Sequence, residues 1–151
     1  MRHPAIGAPR HVIGAGAGAM ADNGLDVLAI SKAIASRPLG PSQRSYANAV
    51  AAIETDLDPP ELLELLQSIE AAFGRRRMGQ RWRSRTLDLD ILLWSGGIWQ
   101  SPDLHIPHRE MAARDFVIGP AAQIAGEWRH PILGLTLSQI NARLTRAKRR
   151  T

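Results

Sequence analysis

Residues 82–93 run Trp-Arg-Ser-Arg-Thr-Leu-Asp-Leu-Asp-Ile-Leu-Leu. Apolar residues flank and separate the two acids, the pattern of a buried strand. Side chains alternate along a strand, so Asp88 and Asp90 share one face while Leu87, Leu89 and Ile91 share the other. The Cβ atoms of the two acids then stand about 7 Å apart. Two like charges on one face of an apolar strand are costly unless a cation lies between them. A small set of hard oxygen ligands suits Mg²⁺, which keeps several waters and binds through one or two carboxylates plus substrate phosphates. Arg75, Arg76, Arg77, Arg81, Arg83 and Arg85 lie just upstream. Guanidinium forks match phosphate oxygens in pairs. Acids suited to Mg²⁺ beside arginines suited to phosphate point to an enzyme that uses a nucleotide.

The chain has 151 residues, a length that suits one domain (1–151) with one core. With 19 basic and 14 acidic side chains the formal charge is +5. The excess lies in the 75–85 arginines and in a tail of Arg143, Arg146, Lys148, Arg149 and Arg150. A basic balance favours anionic partners, either nucleic acid or a phosphorylated small molecule. The tail, residues 143–151, is expected to be a solvated, frayed end. No apolar run reaches the roughly 20 residues that span a bilayer, and no signal pattern opens the chain. The absence of Cys excludes disulfides and thiolate chemistry and fits a cytoplasmic protein.

Residues 10–21 read as a weak, glycine-rich helix. The spacing of Gly14, Gly16 and Gly18 matches neither phosphate-loop pattern. Strands are expected at 25–31, with Leu25, Val27 and Ala29 on one face, and at 46–55, where the alanines also permit helix. Residues 37–41, Arg-Pro-Leu-Gly-Pro, must be a loop. Helix 58–73 is the clearest element. Asp58 caps it, Pro59 suits its first position, Glu61 completes a capping box, and Leu62, Leu65, Leu66, Ile69 and Phe73 form its apolar stripe. Gly74 is expected to stop it. A strand follows at 87–94, then a turn and a return strand at 98–100. Pro107 breaks the chain, short helices follow at 109–114 and 117–125, and a last one spans 137–146. Hairpins and helices in this mixed order favour an α+β fold.

Several residues admit a structural and a chemical reading. Asp88 and Asp90 are either metal ligands or the solvated face of an edge strand. Trp82 either anchors its loop to the core or lids a flat ligand. On a strand, Tyr46 and Asn48 share a face. They are a core aromatic and a turn former, or an aromatic plane and an edge donor for a flat heterocycle. Phe116 is core or the second slice of that sandwich. His108 has no partner at metal-ligand spacing, so phosphate contact or a structural role is left. Arg114 contacts phosphate or forms a surface ion pair.

These stretches together resemble the 6-hydroxymethyl-7,8-dihydropterin pyrophosphokinase family of folate biosynthesis. The similarity rests on Arg37-Pro-Leu-Gly-Pro, Tyr46-Ala-Asn48, Gln67-Ser-Ile-Glu70, Gly74-Arg75 and Arg77, Arg81-Trp82, Arg85-Thr-Leu-Asp-Leu-Asp-Ile-Leu, Ile106-Pro-His108 and Arg114-Asp-Phe116. It implies a ferredoxin-like α/β sandwich with a mainly antiparallel central sheet. It also implies an Mg²⁺-dependent transferase, a kinase that moves diphosphate from ATP to the pterin hydroxymethyl group and releases AMP. By the same resemblance Asp88 and Asp90 hold two Mg²⁺, and Arg75 and Arg85 neutralise the transferred group. Gln67, Glu70, Arg77, Trp82, His108 and Arg114 contact ATP. Leu39, Tyr46, Asn48 and Phe116 hold the pterin. The implied partners are ATP and a reduced pterin acting on a cytoplasmic monomer, with neither nucleic acid nor membrane involved.

Three departures qualify the resemblance. Arg83-Ser84 replaces the family's Gly-Pro or Gly-Ala, and Met78 stands where a basic residue is common. The family's first strand, ending in Gly-Ser-Asn, has no counterpart in Met1–Arg10, so that strand is expected to be missing through a misplaced start or a truncation. Rival readings are a truncated, poorly active member, a basic nucleic-acid-binding module, and a different Mg²⁺-dependent nucleotidyltransferase. The nucleic-acid reading leaves the paired acids unexplained, since they would repel phosphate without a metal.

Overall fold

A computed structural model describes residues 2–8, 10–36, 46–77 and 87–149. In chain order the elements are β1 (Arg2–Ala8), α1 (Arg10–Asp22), β2 (Asp26–Ile30), β3 (Ile34–Ser36), β4 (Tyr46–Glu54), α2 (Pro59–Arg77), β5 (Asp88–Trp94), β6 (Trp99–Ser101), β7 (Leu104–Ile106), a 3₁₀ turn (Met111–Ala113), α3 (Asp115–Ala125) and α4 (Leu137–Arg149). The fold is α+β and its strand pairings are antiparallel. The main sheet has the order β2-β4-β1-β5, with β3 beside β4, and β6 and β7 form a separate hairpin.

No strand is expected from the sequence within Met1–Arg10, and the structure holds one there. Residues Arg2–Ala8 form β1, and β1 lies between β4 and β5. Its ladder runs from Arg2 opposite Ile53 to Ala8 opposite Ala47 on one side. On the other side it runs from Arg2 opposite Trp94 to Gly7 opposite Asp88. The segment hid because Arg2, His3 and Pro4 break the apolar pattern of a central strand. Proline has no N–H for a ladder and is confined to edges, first positions and bulges. Here the register shifts between His3 and Pro4, so Leu92 of β5 is the extra residue of a bulge at that point. Two neighbouring strands with unpaired backbone groups outweigh a weak local pattern.

Parity along β4 and β5 sorts the core into two layers. Ala47, Ala49, Ala51 and Ile53 face α1 and α2 together with Leu87, Leu89 and Ile91. The stripe of α2 meets them through Leu62, Leu66, Ile69 and Phe73. The opposite face carries Val50 and Leu92, packed under Val117, Ile118 and Ala121 of α3 and Leu137 and Ile140 of α4. Gly16 explains the glycines of α1 at one position, since a Cβ there would sit 3.0 Å from Leu87 Cδ1. That glycine lets α1 approach the Leu87 side chain, just ahead of β5, which offsets its poor helix propensity.

Helix starts follow local chemistry. Glu61 N–H donates to Asp58 Oδ1 at 2.9 Å and Asp58 N–H donates to Glu61 Oε1 at 3.0 Å, the expected capping box. A second box opens α4, where Gln139 N–H donates to Thr136 Oγ1 and Thr136 N–H donates to Gln139 Oε1. Helix ends were less legible. Gly74 does not stop α2, which runs on to Arg77, and α4 runs on to Arg149. The expected helix over 109–114 is a single 3₁₀ turn. The expected return strand also pairs differently: β6 joins β7, and among the described residues no strand pairs with the outer edge of β5.

His130 ties down the loop before α4. Its Nδ1 accepts from the N–H groups of Ile132 at 3.3 Å and Leu133 at 3.1 Å, and its own N–H donates to Leu135 O at 2.8 Å. An accepting Nδ1 places the ring proton on Nε2. Burial lowers the pKa of this imidazole. Its neutral form therefore contributes stability above the ordinary value of about 6.5, and that contribution is lost as pH falls toward the depressed folded value. A wild-type melting temperature that drops across this window, with a flatter profile in His130→Phe, is the expected result. The variant should also lose roughly 1–3 kcal/mol, because two backbone donors lose their acceptor. Ile6→Pro, in the middle of β1, should lower the melting point by about 2–4 °C for each kcal/mol lost. An unchanged melt for Ile6→Pro would remove β1 from the sheet centre.

Candidate active site

The strand register brings polar residues from distant parts of the chain into one row. Ile34, Asn48, Gly7 and Asp88 stand opposite one another across β3, β4, β1 and β5. Directly opposed residues share a face, so Asn48 and Asp88 point to the same side, two strands or about 10 Å apart. The residue between them is glycine. One row further along, Ala5 stands between Val50 and Asp90. The α3–α4 layer covers this face at Val50 and Leu92, whereas Asp88 and Asp90 are exposed. The sheet face therefore passes from packed core to a polar end on the same strands.

Asp88 and Asp90 alternate with buried Leu87, Leu89 and Ile91, as the sequence pattern requires. Partial burial raises the pKa of Asp88, and the charge of Asp90 raises it further. Glu70, from the far end of α2, reaches the open edge of β5. Its Oε2 accepts the Leu89 N–H at 2.8 Å, between the two aspartates. Burial raises the pKa of Glu70, the Leu89 N–H opposes that rise, and the charges of Asp88 and Asp90 add to it. The same edge is held at its other end by His108, whose N–H donates to Leu92 O at 2.9 Å. The bulge at Leu92 makes that carbonyl available.

A cavity of about 330 Å³ opens beside Asp90, lined also by Leu63, Leu104, His105, His108 and Arg109 among others. His108 Nδ1 accepts from Glu110 N–H at 3.2 Å, which orients its ring. Arg109 Nη2 lies 3.3 and 3.1 Å from the two ring nitrogens of His105, so the guanidinium rests against the imidazole. Arg114 forms an ion pair with Glu110 one turn earlier, and its guanidinium carbon stands 5.7 Å from the centre of the Phe116 ring. Phe116, in the first turn of α3, also packs on the core beneath the sheet. Asn48 Nδ2 is buried with no hydrogen-bond partner among the described residues. A buried amide donor of that kind is costly unless a ligand or another group meets it.

The sequence-predicted residues thus fall into three groups. Asp88, Asp90, Glu70 and His108 meet on one edge of the sheet, with Asn48 two strands away and Arg114 and Phe116 at the start of α3. Gln67 is exposed on α2, one turn before Glu70. Tyr46 lies two residues before Asn48 on β4, and Arg75 and Arg77 lie in the last turn of α2; for these three the backbone position alone is described. Leu39, Trp82 and Arg85 lie outside the described residues. The sequence reading missed the cavity contributions of Leu63, His105 and Arg109. The β6–β7 hairpin brings His105 there, and expecting β6 to pair with β5 concealed it.

Among the described residues no group of three or more acids, histidines or cysteines is placed to hold a metal ion. Two carboxylates that raise each other's cost are the donor set that fits Mg²⁺ shared with phosphates and water. No helix among the described residues is long and apolar enough to cross a membrane.

Comparison with known proteins identifies the family. The profile of the 7,8-dihydro-6-hydroxymethylpterin-pyrophosphokinase (HPPK) family matches residues 5–126. The chain is 40% identical over 117 residues to the 2-amino-4-hydroxy-6-hydroxymethyldihydropteridine pyrophosphokinase of Synechocystis, covering 78% of this chain and 60% of that protein. It is 54% identical over 93 residues to the Haemophilus influenzae protein of the same name, covering 61% of this chain and 58% of that one. Against the Pseudomonas aeruginosa protein of that name, identity is 46% over 106 residues, 70% of this chain and 65% of that one. The chain thus spans less than two thirds of the length of each of these relatives. The match from β1 through α3, with the paired aspartates inside it, shows that the chain belongs to the HPPK family.

Proposed function

We propose that the protein is an Mg²⁺-dependent diphosphotransferase that moves the terminal diphosphate of ATP onto 6-hydroxymethyl-7,8-dihydropterin, releasing AMP, in folate biosynthesis. The observation that carries this reading is the exposed Asp88–Asp90 pair on one face of β5, with Asp90 and His108 lining one cavity. In the reaction the hydroxymethyl oxygen bonds to the β-phosphorus. The bond from that phosphorus to the α,β-bridging oxygen breaks, AMP leaves with the bridging oxygen, and the hydroxyl proton passes to solvent. No covalent enzyme intermediate is needed, so the protein acts through positioning and charge.

Bound Mg²⁺ would supply charge neutralisation on the phosphate oxygens, held by Asp88 and Asp90. Arg75 and Arg85 are proposed to balance charge on the transferred group. Gln67, Glu70, Arg77, Trp82, His108 and Arg114 are proposed as ATP contacts. Leu39, Tyr46, Asn48 and Phe116 are proposed to hold the pterin, and the unpaired Asn48 Nδ2 is a donor suited to the edge of a flat heterocycle. The ion pair with Glu110 and the contact with Phe116 fix the orientation of Arg114, which supports a contact role for it. A ferredoxin-like topology belongs to the same proposal. It is supported by the order β2-β4-β1-β5, with α1 joining β1 to β2 and α2 joining β4 to β5. A cytoplasmic monomer acting on small molecules completes the proposal.

Incubation of the chain with ATP, Mg²⁺ and the reduced hydroxymethyl pterin should release AMP, not diphosphate. Folded protein that forms no AMP would sink the assignment. Asp88→Ala and Asp90→Ala should each lower turnover by at least about 100-fold, as loss of electrostatic transition-state stabilisation does, while the far-ultraviolet circular dichroism is unchanged. The pKa shifts make a separate stability prediction. Raised folded values for Asp88 and Glu70 mean that the folded state holds protons the unfolded state releases. Stability therefore falls as pH rises from the ordinary carboxylate values through the raised ones. Asp90 contributes to both rises, so Asp90→Asn without divalent ions should melt above wild type at pH 7. The two melting points should converge near pH 3, and a constant gap across the range would contradict the assignment of the repulsion.

A further inference from the structure

Among the described residues the outer edge of β5 has no partner strand, yet its proposed metal-binding acids must hold one orientation. Edge strands expose backbone groups that twist, fray or pair elsewhere unless something covers them. Here the covering is specific. The Leu89 N–H is the donor between Asp88 and Asp90, and the group that takes it is a carboxylate brought by another element, Glu70 Oε2 at 2.8 Å. Glu70 lies one turn beyond Leu66 and directly after Ile69, both buried, so α2 is anchored where it delivers this group. Leu89, whose side chain is also buried under α2, is fixed by side chain and backbone together. A carboxylate accepting a backbone N–H is among the stronger neutral-donor bonds. His108 N–H on Leu92 O secures the same edge further along.

We infer that Glu70 is a positioning residue that latches α2 to the open edge of β5 through the Leu89 N–H and so sets the aim of Asp88 and Asp90. This rests on the reading of that pair as the metal site, and it gives Glu70 a role beyond nucleotide contact. Oε2 is committed to the latch, which leaves Oε1 to meet a ligand. Groups that orient metal ligands without touching the metal cost about 10–100-fold in affinity when removed. The oxygen of a glutamine side chain can take the same N–H, whereas alanine cannot. The latch is therefore separable from the charge: Gln keeps the bond and removes the charge, and Ala removes both.

Titration of Mn²⁺ into the full chain with a non-hydrolysable ATP analogue, followed by water-proton relaxation, tests this. Glu70→Ala should weaken the protein-dependent Mn²⁺ affinity about 10-fold or more, and Glu70→Gln should return it to within about threefold of wild type. Equal losses in Gln and Ala would show that the charge alone matters and would overturn the latch. No loss in either variant would overturn it as well. Wild-type protein that adds nothing to Mn²⁺ binding by the nucleotide would overturn the metal-site reading itself, and the inference with it. If Glu70→Ala does not fold, hydrogen exchange in wild type and Glu70→Asp decides. The Leu89 amide should be protected in wild type and lose protection in Asp, whose side chain is one methylene shorter. An unprotected Leu89 amide in wild type would overturn the latch.

Discussion

Everything at the site depends on β1 pairing on both sides. Without it, β4 and β5 have no common neighbour, and nothing places Asn48 and Asp88 in one row. With it, register alone carries the alignment. Gly7 stands opposite both residues, and Ala5 stands opposite both Val50 and Asp90. Strand parity then puts the acids and the amide on the same side. The central strand is also the least strand-like in sequence, with Arg2, His3 and Pro4 at its start. The cost of leaving two ladders of backbone groups unpaired exceeds the local preference of a few residues.

The site is also a boundary between two environments on one sheet face. At Val50 and Leu92 the face is closed by α3 and α4. At Asp88 and Asp90 it is exposed, and the carboxylates are near enough to each other and to Glu70 that burial and repulsion both favour a proton on Asp88 and Glu70. Such an arrangement carries an electrostatic cost in isolation that a divalent cation with phosphates would relieve. Functional sites commonly hold this kind of unrelieved charge, because a site stable without its ligand gains less from binding it.

The edge of β5 shows how a free strand becomes a precise platform. A β6 strand on that edge would have paired its N–H and C=O groups. Instead β6 joins β7, Glu70 and His108 take individual groups, and a cavity opens beside Asp90 and Ile91. The bulge at Leu92 serves the same end, since it turns one carbonyl outward to meet His108. The helix that supplies Glu70 is started by an explicit capping box and held by its apolar stripe.

From the sequence alone, the acids on one face of β5, the α2 stripe with its cap, the α+β class and the family resemblance were all legible. Each depends on period, capping chemistry or a run of neighbours, which are local quantities. The position of β1, the β6–β7 pairing, the end of α2 and the meeting of Glu70 with Leu89 were not legible. Those depend on which backbone groups remain unsatisfied once the other elements are in place, which no local window contains. The Asp88-Leu89-Asp90 run itself dictated that two carboxylates would stand together. Only the tertiary structure decided what stands beside them: a glycine row leading to Asn48, a glutamate on the strand edge, and a cavity reached by His108.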